Sequence, residues 1–130
     1  MTVVADIMHL PFVSSTPNIA RTKLAAFLTV NRIDMVVIDN ALIVLSEMIA
    51  NAVSHGVPDE HGMMEIGWAI HNANLELEVA DAGQCDSLVP VPFDEDSLSG
   101  RGLSIITQLA EDWSVDVADG TRIRAKISLS

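Results

Sequence analysis

Basic residues are scarce in this chain of 130 residues, where seven Lys and Arg face 18 Asp and Glu and the formal charge is −11. A sequence-independent grip on DNA or RNA needs clustered Lys and Arg to neutralise phosphates, so nucleic acid is excluded as that kind of partner. The shortage also argues against a polybasic membrane patch. Cysteine is represented by Cys85 alone, which leaves no internal disulfide, and no secretory apolar segment opens the sequence. A reducing, cytoplasmic setting is the expectation. Long apolar runs are missing too: the longest, Met35 to Ala50, is interrupted by Asp39 and Glu47. It falls short of the roughly 18–20 residues a membrane span needs, so no membrane association is expected.

What is present is a composition 49% hydrophobic and only 4% aromatic, without internal repeats or low-complexity tracts. A length of 130 residues suits one domain, 1–130, that buries a core without disulfides or a structural metal. Nothing here excludes a small anionic ligand. An acidic protein that binds one needs a local device to overcome its own field.

Hydrophobic spacing predicts the elements. Residues 8–13 read as an edge strand, because Pro11 cannot donate to a ladder. Thr16 suits an N-cap and Pro17 the first position of a helix that carries Ala20, Leu24, Phe27 and Leu28 on one face and ends near Val30. Arg21 and Lys23 lie off that face. A second, long helix starts behind Asp34 and runs to His55, where Gly56 and Pro58 stop it. The alternations Met64, Ile66, Trp68, Ile70 and Leu75, Leu77, Val79 predict a hairpin turning at 71–74, with Asp81 at the end of its second strand. Residues 84–99 lose all periodicity and read as a long surface loop, of the kind that usually serves as a lid or binding loop. Gly100-Arg101-Gly102 opens a short helix with Leu103, Ile106, Leu109 and Ala110 inward, and strands 113–117 and 121–129 close the chain. Met8, Met35, Met48, Met63 and Met64 read as core or gap-filling residues. The fold class is α+β: a two-layer sandwich with helices on one face of a mostly antiparallel sheet.

Four features carry chemistry. Glu47 and Asn51, at i and i+4, share one helix face about 6 Å apart, a pair able to hold a hard cation and orient a hydroxyl. Asp81-Ala82-Gly83 places a carboxylate where a strand gives way to a turn. Gly100-Arg101-Gly102 stands at a helix start, where free N–H groups and the helix dipole favour phosphate. Gly120-Thr121 opens the last strand with a hydroxyl. By contrast, His55, Asp59, Glu60 and His61 match no structural zinc spacing.

Residues 45–56, Leu-Ser-Glu-Met-Ile-Ala-Asn-Ala-Val-Ser-His-Gly, resemble the N box of the GHKL (Bergerat-fold) ATPases. Asp81-Ala82-Gly83 resembles their first glycine box, Ser-Gly-Arg-Gly-Leu-Ser-Ile-Ile (99–106) the second, and Asp119-Gly120-Thr121 the closing Gly-Thr. Within that superfamily the chain looks most like the bacterial anti-sigma factor serine/threonine kinases. The resemblance implies the Bergerat, or histidine kinase-like, ATPase fold and the cofactors ATP and Mg²⁺. It implies that Asn51 ligates Mg²⁺, that Glu47 is the catalytic base or orienting group, and that Asp81 accepts the adenine amino group with Gly83 and Thr121 assisting. Gly100, Arg101, Gly102 and Leu103 would contact the nucleotide, and 84–99 would form the lid. A sigma factor to sequester, an anti-anti-sigma protein to phosphorylate and a homodimer are implied likewise. One residue departs from the pattern: Cys85 stands where the first glycine box often has its second Gly. That departure favours an alternative, an ATP-binding partner-switching module of the same fold with little or no phosphoryl transfer.

Overall fold

Alternation and helical spacing are realised in the order β1 (Val4–Pro11), α1 (Thr16–Val30), α2 (Met35–His55), β2 (Met63–His71), β3 (Asn74–Asp81), α3 (Leu98–Leu109), β4 (Asp112–Asp116) and β5 (Thr121–Ser128). The computed structural model describes residues 4–83, 98–118 and 120–129, with 98–103 as backbone alone. The described strands form one antiparallel sheet, ordered β1-β2-β3-β5-β4. The expected α+β sandwich is therefore present.

Register explains which face is buried. Ile66, Val79 and Ile123 face one another across β2, β3 and β5, as do Trp68, Leu77 and Ala125, and these residues are almost completely buried. Over them lie Leu24 and Leu28 of α1, Leu45, Met48 and Ile49 of α2, and Ile106 of α3, all fully buried. The other sheet face carries Glu65, Glu76 and Glu78 opposite Arg122, Arg124 and Lys126, as the clean alternation of β5 predicts. The hairpin between β2 and β3 turns on Asn72 and Ala73 alone, both at positive φ (51° and 62°), the conformation of a type I′ turn.

Some boundaries differ from expectation. β1 begins at Val4 and ends at Pro11, so Phe12 and Val13 lie outside it, and Pro11 sits opposite Met63 at the end of the ladder, where a missing N–H costs least. Thr16 is the first residue of α1 rather than its cap, and Ser15 takes the cap position. The Thr16 hydroxyl instead donates to the Pro11 carbonyl and is fully buried, tying the helix start to the end of β1. Met48 and Met64 are in the core, but Met35 is 67% exposed. α2 is a 21-residue helix whose length, and whose most apolar 18-residue window with a mean hydropathy of 1.7, would suit a membrane span, Asp39 and Glu47 notwithstanding. In this fold its apolar stripe, from Ile38 to Ala52, is buried in the core.

Candidate functional site

The alternation that buries Leu75, Leu77 and Val79 continues one step to Asp81, and that of Ile127, Ala125 and Ile123 continues to Thr121. Asp81 and Thr121 are register partners at the end of the sheet. Two polar side chains thus arrive on the helix-facing side of the sheet, where strand periodicity would otherwise place core residues. The Asp81 carboxylate is fixed by backbone: its Oδ1 accepts from Gly83 N–H at 2.7 Å and from Val57 N–H at 3.3 Å. Thr121 Oγ1 donates to the Gly83 carbonyl at 2.7 Å, closing the turn after β3 onto the start of β5. Burial raises the Asp81 pKa above its ordinary value, against the lowering effect of the Gly83 and Val57 N–H groups.

Close approach is enforced by glycines. A Cβ at Gly120, whose φ is +80°, would lie 2.3 Å from the Asp81 carbonyl oxygen, and one at Gly83 would lie 2.8 Å from Asp81 Oδ1. Gly56 approaches the same carboxylate from the C-terminal end of α2. In the sequence Gly56 is legible as a helix stop and as the end of the 45–56 string, and nothing singles out Val57. Their contact with Asp81 depends on where α2 ends in space relative to β3.

One helical turn before that end, Asn51 presents a buried side-chain oxygen, Oδ1, with no hydrogen-bond partner among the described residues. Glu47, four residues earlier on the same helix, is partly exposed. Gly100, Arg101, Gly102 and Leu103 fall within the first turns of α3, which begins at Leu98, two residues before the expected start. The glycines are therefore inside the helix: the Gly100 N–H is among the first four, which lack intrahelical partners, whereas those of Gly102 and Leu103 fall within the i to i−4 ladder. Residues 84–97, with Cys85 and most of the expected lid, and Asp119 lie outside the described residues. Among the described residues no three or more His, Cys, Asp or Glu side chains gather as metal ligands.

A cavity of about 500 Å³ occupies the opposite face of the sheet, over Gly67, Glu78, Arg124 and Lys126, and none of its lining residues belongs to the Asp81 cluster. There Arg122 bonds Glu78 at 2.6 Å and Glu65 at 3.3 Å, and Arg124 bonds Glu78 at 2.9 Å. Partial burial works against the Glu78 charge, yet the two guanidiniums hold its carboxyl below the usual range. These arginines are engaged in cross-strand pairs.

An antiparallel sheet covered on one face by helices, with a polar cluster where β3 and β5 end, defines the class as an α+β sandwich of the histidine kinase-like ATPase kind. The chain belongs to the histidine kinase-like ATPase domain family, whose sequence profile matches residues 14–127. It is 29% identical over 98 residues to the serine-protein kinase RsbW of Oceanobacillus iheyensis, a match covering 66% of this chain and 62% of that relative's length. In fold it resembles the crystal structure of the RsbU and RsbW domains of Rv1364c from Mycobacterium tuberculosis, with a TM-score of 0.76 at 19% identity. That likeness covers 97% of this chain and 32% of the other. The histidine kinase domain of a blue-light-activated kinase from Erythrobacter litoralis is also similar, with a TM-score of 0.55 at 20% identity over 72% of this chain and 45% of the other.

Proposed function

We propose that the chain is a cytoplasmic, single-domain Mg²⁺- and ATP-dependent protein serine/threonine kinase that doubles as an anti-sigma factor. It would hold a sigma factor and phosphorylate an anti-anti-sigma protein, working as a homodimer. The observation that carries this reading is the buried Oδ1 of Asn51, which no donor among the described residues reaches. An amide oxygen without a partner in the protein interior costs about 1–3 kcal/mol, a cost that a ligand or cation would offset. The donor set fits Mg²⁺, which takes one or two protein oxygens and completes its shell with phosphates and water rather than with an all-protein cage.

In this reading Asn51 holds the metal and Asp81 accepts the adenine amine, with Gly83 and Thr121 shaping the turn beside it. The free N–H groups of the first turn of α3, Gly100 among them, and the Arg101 side chain would meet the phosphates, with Gly102 and Leu103 next to them, and the lid would be the segment that precedes α3. Bound Mg²⁺ would supply the positive charge that an acidic chain lacks. Glu47 takes the proton from the attacking serine or threonine hydroxyl, and the remaining work is positioning. Cys85, in place of a glycine in the first glycine box, favours a second reading, a partner-switching module that binds ATP with weak or no transfer.

Label transfer from ATP to a candidate antagonist separates the two. The kinase reading predicts transfer by the wild type and a loss of roughly 10²–10⁴-fold in Glu47→Ala with ATP affinity retained. ATP binding without transfer, unchanged by that substitution, leaves the module. A wild type that does not bind ATP contradicts both.

A further inference from the structure

Gly56 ends α2, yet its backbone does not call for glycine. Its φ of −83° and ψ of 175° are extended values open to any residue, so the left-handed freedom that usually favours glycine after a helix is unused. What a side chain would lack there is space. A Cβ on Gly56 would lie 2.6 Å from the Ala52 carbonyl oxygen and 2.6 Å from Asp81 Oδ2. The next residue grips the same segment twice: Val57 N–H donates to Asp81 Oδ1, and the Val57 carbonyl accepts from Ala82 N–H at 2.8 Å. With Gly83 N–H as a second donor, Oδ1 is occupied, while among the described residues no donor reaches Oδ2.

We propose that Gly56 and Val57 are positioning residues for base recognition: they hold Asp81 with Oδ1 occupied and Oδ2 alone presented, so that the site selects a base with an exocyclic amine over one with a keto oxygen. The inference rests on the ATP reading of the site. A carboxylate only accepts hydrogen bonds, so it pairs with an amine and repels a carbonyl oxygen. Orientation matters because the backbone donors, not the ligand, decide which oxygen is left.

Titration with ATP and with inosine triphosphate, whose base carries a 6-keto oxygen and an N1–H where adenine carries a 6-amine and a bare N1, reads the effect. The wild type should prefer ATP by roughly 10–100-fold, the worth of a hydrogen bond to a charged group. In Asp81→Asn the Val57 and Gly83 donors keep the amide oxygen in the Oδ1 place, which leaves the NH₂ group at Oδ2, and the preference should invert to inosine triphosphate. In Gly56→Ala the added Cβ displaces the carboxylate, so ATP affinity should drop to the inosine triphosphate level while the latter stays within about twofold. Gly67→Ala, on the far sheet face with no atom closer than 3.4 Å to the new Cβ, should change neither. Equal losses for both nucleotides in Gly56→Ala, or no inversion in Asp81→Asn, overturn the positioning role. Asp81→Asn is nearly isosteric and decides the matter even if Gly56→Ala fails to fold. A wild type that binds neither nucleotide overturns the ATP reading, and this inference with it.

Discussion

Asp81 is the residue at which stability and function pull apart. Burial raises its pKa above the ordinary 3.8, so the folded protein holds this proton more tightly than the unfolded chain does. The sign follows: Asp81 favours folding most below pH 3.8 and progressively less as pH rises through the raised folded value. At neutral pH its charge therefore opposes folding. Asp81→Asn keeps an acceptor for the Val57 and Gly83 N–H groups without that charge, and should raise stability at pH 7. For a half-buried group screened by solvent the gain is a few tenths to about 1 kcal/mol, and it should vanish below about pH 4. Urea unfolding at the two pH values checks this. A destabilised variant at pH 7 would mean that the carboxylate is stabilising where it sits. Residue identity was legible at this site, since Asp81-Ala82-Gly83 and Asn51 stand out in the sequence. The packing of Gly56 and Gly120 around Asp81 was not, because it depends on where three segments distant in sequence meet.

Element by element, the sequence was most readable where periodicity is strong. α2 runs from Met35 to His55 as its apolar spacing indicates, and β5 alternates Ile123, Ala125 and Ile127 inward as written. β1 departs from the expected 8–13 at both ends because an edge strand needs only one neighbour and its pattern is weak: of Val4 to Pro11, none is fully buried. Thr16 departs from the expected cap for another reason. Its hydroxyl found a tertiary partner in Pro11 in place of the local capping bond. The β2–β3 turn offers a test at this scale. Asn72 and Ala73 both adopt positive φ, which is easy for Asn but costs Ala about 1 kcal/mol. Ala73→Gly should therefore raise the unfolding free energy by about 0.5–1 kcal/mol without touching nucleotide affinity. A fall in stability would show that the turn does not hold this conformation in solution.

At the scale of the whole molecule the charge of −11 sets the electrostatic problem that the site must solve. Arg122 and Arg124 do not relieve it, since both pair with glutamates on the far face of the sheet. In the proposed reading a polyphosphate is held where local groups would offset the field: the free N–H groups at the start of α3, Arg101, and a divalent cation on Asn51. Nucleotide binding should therefore depend on the cation. Calorimetric titration of ATP with and without Mg²⁺, on the wild type and on Asn51→Ala, tests it most directly. The account predicts that wild-type affinity weakens about tenfold or more without Mg²⁺ and that Asn51→Ala binds weakly and almost equally in both conditions. Tight wild-type binding without Mg²⁺, or a Mg²⁺ effect of full size in Asn51→Ala, would contradict it.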